Sequence, residues 1–85
     1  MSRISYQVEQ FNTEHAPEEI VQYVLNNVDD FGHRYTEALK RIGTSRGTLH
    51  WVDPELYLNI SDAIYDWCED NGDDPDKYDI EEIFG

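Results

Sequence analysis

"DPELYLNISDAIYDWCEDNG", residues 53–72, decides how this chain folds. Asp53 followed by Pro54 and Glu55 is a helix start: a side chain able to accept from free amides, a proline whose fixed φ suits the first turn, and an acid at the positive end of the dipole. Asn71-Gly72 is a stop. In between, at ~100° per residue, Leu56, Ile60, Ala63, Ile64 and Trp67 fall within about 100° of arc, which marks the side to be buried. Glu55, Asp62, Asp66, Glu69 and Asp70 cluster on another side of the same helix, with no base among them. The spacing predicts a helix over 54–71 that is apolar on one side and purely negative on another.

Working outward, Pro17, Glu18 and Glu19 open a second helical pattern, in which Ile20, Val21, Val24, Leu25 and Val28 share a side and predict a helix over 17–28. Asp29 or Asp30 can cap the next, where Phe31, Tyr35, Ala38, Leu39 and Ile42 form a core-facing stripe with Lys40 and Arg41 in the last turn and Gly43 beyond it. The stretch "GTSRGTLHWV", 43–52, has no helical period and reads as a loop leading into an extended segment, 48–52, that can pair with the alternating "ISYQV", 4–8. After Gly72, Asp74-Pro75 is another helix start, with Ile80, Ile83 and Phe84 on one side of a short terminal helix. The expected fold is mainly α, a compact bundle of three to four short helices, or α+β if 4–8 and 48–52 form a two-stranded element. With no linker, repeat or low-complexity tract, residues 1–85 are expected to form a single domain.

Composition narrows the function classes. A chain of 85 residues that is 39% hydrophobic and 13% aromatic is too apolar for disorder and too short for more than one small core. Cys68 is the one cysteine, so no internal disulfide can form, and a reducing compartment suits the chain. No basic-then-apolar leader and no apolar run of ~18 residues is present, and the reading is a soluble protein of a bacterial cytoplasm with no membrane partner. Nineteen acids against six bases give a formal charge of −13 and a pI near 4.2. Direct nucleic-acid binding and anionic membranes are thereby disfavoured, since both need Lys and Arg, whereas basic partners are favoured.

The charge is also segregated. Residues 1–52 carry a net of −2, seven acids against five bases, while 53–85 carry −11, twelve acids against Lys77 alone. Within helix 54–71 the pairs Asp62/Asp66 and Asp66/Asp70 stand at i, i+4, each costing roughly 0.2–0.5 kcal/mol, and Glu69 and Asp70 face the negative end of the dipole. Successive carboxylates are ~6 Å apart along the axis, comparable to phosphates along one nucleic-acid strand, and Asp73, Asp74 and Asp76 would extend the row. The bland explanation is a solvated face kept for solubility. Against it stand the segregation, the absence of compensating bases, and Leu58 and Tyr65, which border the row away from the core stripe and suit interface anchors.

Metal and catalytic readings have little behind them. "DNGDDPDKYDIE", 70–81, has the length of a calcium loop, but Gly72, Pro75 and Lys77 occupy positions that need a ligand, a glycine and an apolar residue. His15, His33, His50 and Cys68 lack the close pairing of a zinc site. No nucleophile motif or phosphate-cradling glycine loop appears, so neither an enzyme nor a cofactor is expected.

In size, charge and the acidic helix "DPELYLNISDAIYDWCEDNGDD" (53–74), the chain resembles, as a class, the small acidic DNA-mimic inhibitors of bacteriophages and mobile elements, antirestriction and anti-CRISPR proteins among them. These share a tactic and not a fold, so no residue role transfers by position. The resemblance implies a non-enzymatic inhibitor of a host nucleic-acid-binding protein or complex; the residues themselves give Glu55, Asp62, Asp66, Glu69, Asp70, Asp73, Asp74 and Asp76 as the face presented to its basic surface, with Leu58 and Tyr65 as apolar grip, and a monomer or homodimer is expected. The alternative is an acidic adaptor that docks on a host enzyme such as RNA polymerase through Ile80, Ile83 and Phe84.

Overall fold

Asp53 does cap the long helix. In the computed structural model, which describes residues 6–11, 13–14, 16–45 and 47–85, its carboxylate accepts from the Leu56 amide at 3.1 Å, and the helix runs Pro54–Asn71 to a left-handed Gly72 at φ 67°. We call it α4. The other helices are α1 (Glu18–Asn27), α2 (Phe31–Ile42), the one-turn α3 (Leu49–Val52) and the one-turn α5 (Ile80–Ile83), with 3-10 turns at Val8–Gln10 and Pro75–Lys77. The fold is mainly helical, as its sequence patterns require.

The stripes meet in one core. Ile20, Val21 and Val24 of α1 pack on Leu56, Ile60 and Ile64 of α4, and Leu49 of α3 is sealed beside them. At the other end Tyr6, Phe11, Phe31, Tyr35 and Phe84 form an aromatic cluster with centroids 5.0–6.2 Å apart, close enough for edge and stacked contacts. The buried Tyr35 hydroxyl donates to the Phe84 carbonyl, tying the C-terminus to α2. Burial, with Tyr6 nearby, pushes the Tyr35 hydroxyl up from 10.0 to about 12.

Several expectations need correcting. No strand occurs among the described residues; 48–52, expected to be extended, holds α3, and in 4–8 residues 4 and 5 lie outside the described residues while Val8 opens a 3-10 turn. The reason α3 exists is not local. Two of its free amides, Leu49 and His50, donate to the Glu81 carboxylate of α5 at 3.2 and 3.3 Å, and its Leu49 side chain is fully buried. Pro17 precedes α1 as an extended cap residue and is not in its first turn. Asp30 adopts φ 53° at the tight corner between α1 and α2, so its carboxylate does not cap α2 and meets His33 Nδ1 at 2.9 Å instead. Asp74-Pro75 starts only a 3-10 turn; the terminal helix starts at Asp79, whose carboxylate accepts from the Glu81 amide at 3.0 Å. Trp67 is half-buried and Leu39 is on the surface, while Cys68 fills the core position on α4.

Candidate acidic interface

The α4 backbone sets the acidic row. Eighteen helical residues span ~27 Å, and Glu55, Asp62, Asp66, Glu69 and Asp70 are all exposed along it. Among the described residues, ion pairs join His33 to Asp30, Lys40 to Glu37, His50 to Glu81 and Lys77 to Asp73. None of these pairs reaches the five carboxylates of the row. Leu58 and Tyr65, 60% and 52% exposed, stand beside it, with the Tyr65 hydroxyl 3.5 Å from Asp76. Arg34 of α2 does approach α4, with its guanidinium nitrogens 2.9 and 3.1 Å from the Asn59 side-chain oxygen and 3.2 Å from the Asp29 carbonyl. Its contact is with these neutral oxygens.

The continuation past Gly72 behaves differently. Asp73 accepts from Lys77 Nζ at 2.7 Å, from the Tyr78 hydroxyl and from the Asp74 amide at 2.9 Å. Those donors, Lys77 first, hold its carboxyl down at about 2 from an ordinary 3.8. Asp73 is thus a half-buried hub that folds the 73–78 turn and absorbs the one base of the acidic segment. Asp74 is exposed, and its carboxylate accepts from the Asp76 amide at 3.0 Å. Asp76 is exposed and lies 3.5 Å from the Tyr65 hydroxyl. The expected row therefore has two parts: five carboxylates aligned on α4, and a turn in which Asp74 and Asp76 stay outward while Asp73 is engaged.

The fold adds features that the sequence reading missed. Asp29, in the turn between α1 and α2, lines a groove of about 360 Å³ with Asp62 and Asp66, so the middle of the row is wider than one helix face. Trp51 is 78% exposed on α3, four residues before Glu55, with its ring 5.7 Å from that of His50. The only cue to Trp51 in the sequence is that it belongs to no core stripe. Cys68 is buried, and its thiol is pushed up by that burial and then by Asp73 and Asp74, which keeps it protonated. Among the described residues no group of three or more His, Cys, Asp and Glu side chains could hold a metal ion, and His15 lies outside them. No helix there is long and apolar enough to cross a membrane.

Ile80, Ile83 and Phe84 are buried at 7%, 4% or less exposure and close the chain's own core. Comparison with protein-family models, with curated proteins and with solved structures finds no match.

Proposed function

We propose that this chain is a non-enzymatic inhibitor that occupies a basic nucleic-acid-binding surface of a host protein by presenting the α4 carboxylates in place of a phosphate backbone. The observation that carries the reading is the row Glu55, Asp62, Asp66, Glu69 and Asp70, exposed on one helix, with no cation paired to it among the described residues. A face kept only for solubility gains nothing from leaving acids in the last turn of a helix, where they oppose the dipole. A face that must fit a groove lined with Lys and Arg gains both attraction and rapid capture. Leu58 and Tyr65 supply apolar contact at its edge. The host is a bacterium and the setting its cytoplasm, in keeping with a fold that needs no disulfide. Docking through the C-terminal helix would require withdrawing Ile80, Ile83 and Phe84 from the core, which disfavours the adaptor alternative.

The test is capture from bacterial lysate at low salt with the tagged full chain, elution by a salt gradient, and competition by duplex and single-stranded DNA. The expected result is one nucleic-acid-binding protein that DNA displaces and whose affinity falls about tenfold or more between 50 and 200 mM salt. A partner that resists salt and ignores nucleic acid would refute the mimicry.

A further inference from the structure

Tyr57, Ser61 and Tyr65 recur at i, i+4 and i+8 on α4, so they lie in one strip beside the acidic row. The Pro75–Lys77 turn and the start of α5 fold back over this strip and enclose a cleft of about 340 Å³, whose far wall carries Asp76, Tyr78 and Asp79. Three tyrosines, Ser61, Asp76 and Asp79 thus line a space large enough for one long side chain; the Asp79 carboxylate already accepts from the Glu81 amide, which leaves Asp76 as the less engaged of the two acids. Lys77 also lines it, but its ammonium is 2.7 Å from Asp73, so the cleft's own cation is already neutralised. That ammonium also lies 5.6 Å from the Tyr78 ring centroid, an internal instance of the cation–aromatic contact the site offers. The Tyr65 hydroxyl and Asp76 carboxylate are 3.5 Å apart, at the outer limit of a hydrogen bond, which leaves them a weak mutual contact that a stronger donor can replace.

We infer that this cleft is a subsite for the guanidinium of an arginine side chain of the partner. The inference rests on the reading of the acidic face and names what that partner places at its C-terminal end. Arginine fits better than lysine because its planar head stacks on tyrosine rings while its fork of N–H groups reaches a carboxylate and a hydroxyl at once. An anionic group would be repelled by Asp76 and Asp79, and a neutral one would gain no charge attraction from them. The α4 row then provides the long-range attraction, and the cleft provides register, fixing where along the partner's basic groove the row comes to rest.

The experiment is a proton–nitrogen NMR titration of the full chain with N-acetyl-arginine methylamide, and with the corresponding lysine and norleucine compounds, at constant ionic strength. The expected result is saturable shifts confined to residues 57–65 and 75–79, arginine binding about threefold or more tighter than lysine, and norleucine without effect. Tyr65→Leu and Asp76→Asn, both at exposed positions, should each weaken arginine binding by a similar factor without disturbing core resonances. Shifts that grow linearly and spread evenly over Glu55, Asp62 and Glu69, or equal response to lysine, would overturn the subsite. If Tyr65→Leu and Asp76→Asn leave capture of a DNA-displaceable partner unchanged, the subsite falls while the acidic-face reading stands. If arginine saturates the cleft yet DNA does not displace the captured partner, the subsite stands and the mimicry falls.

Discussion

Helices α2 and α4 belong to the same small fold and use their outer faces in opposite ways. On α2 the solvent side mixes His33, Glu37, Lys40 and Arg41; Lys40 pairs with Glu37 at 3.3 Å, and both last-turn bases suit the negative end of the dipole. On α4 every charged residue of the corresponding side is acidic, with Glu69 and Asp70 in the last turn and no base there. Both helices bury an apolar stripe, Phe31, Tyr35, Ala38 and Ile42 on α2 and Leu56, Ile60, Ala63, Ile64 and Cys68 on α4, so the difference does not arise from a missing core face. The −13 of the chain is thus unevenly placed: the surface of α2 follows the rules for stability, while that of α4 follows them at Glu55 and departs from them at Asp62, Asp66 and the last turn.

The contrast can be attacked first where α2 meets the core. Phe84, buried against Phe31 and next to the Tyr35 bond, should cost about 3–5 kcal/mol when changed to alanine, read from urea denaturation. A loss under 1 kcal/mol would mean the C-terminus is not part of the core and would restore it as a docking handle. Next comes alkaline pH. Tyr35 keeps its proton to about 12 in the folded state, whereas the unfolded chain releases it near 10. Its contribution is therefore complete below pH 10 and is lost as pH rises toward 12, by about 2–3 kcal/mol; Tyr35→Phe should lack that segment of the pH–stability curve.

Smaller in size but opposite in sign are the surface changes. Asp66→Asn removes two like-charge pairs at once and should raise stability by about 0.4–1 kcal/mol at low salt, while Lys40→Met on α2 should lower it by about 0.3–0.5 kcal/mol. The two effects should shrink together in 0.5 M salt. Equal signs for the two substitutions would erase the distinction between the helices.

How much of this was legible depended on whether the determinant was local. The bounds of α4 follow from Asp53, Pro54 and Gly72, each acting within a few residues of itself, and the acidic row follows from α4. Residues 49–52 could not be read as helix because the group that satisfies their amides, Glu81, lies more than thirty residues away. The same limit concealed Trp51, whose exposure depends on how α3 is held, and Asp29, which joins Asp62 and Asp66 only through the packing of α1 on α4. Asp73 looked like one more carboxylate in a run; only the folded turn shows Lys77 and the Tyr78 hydroxyl both bonded to it.

The central claim is tested most directly by charge reversal on the two helices in parallel. Asp62→Lys, Asp66→Lys and Asp70→Lys combined on α4, and Lys40→Glu with Arg41→Glu on α2, should be compared for competition with DNA at the captured partner, with circular dichroism as the check on folding. The α4 triple variant should lose about 100-fold or more in affinity, on the order of 1 kcal/mol per reversed charge, while remaining helical, and the α2 variant should change by less than about threefold. Retention of competition by the folded α4 variant, or equal losses in both, would contradict the account.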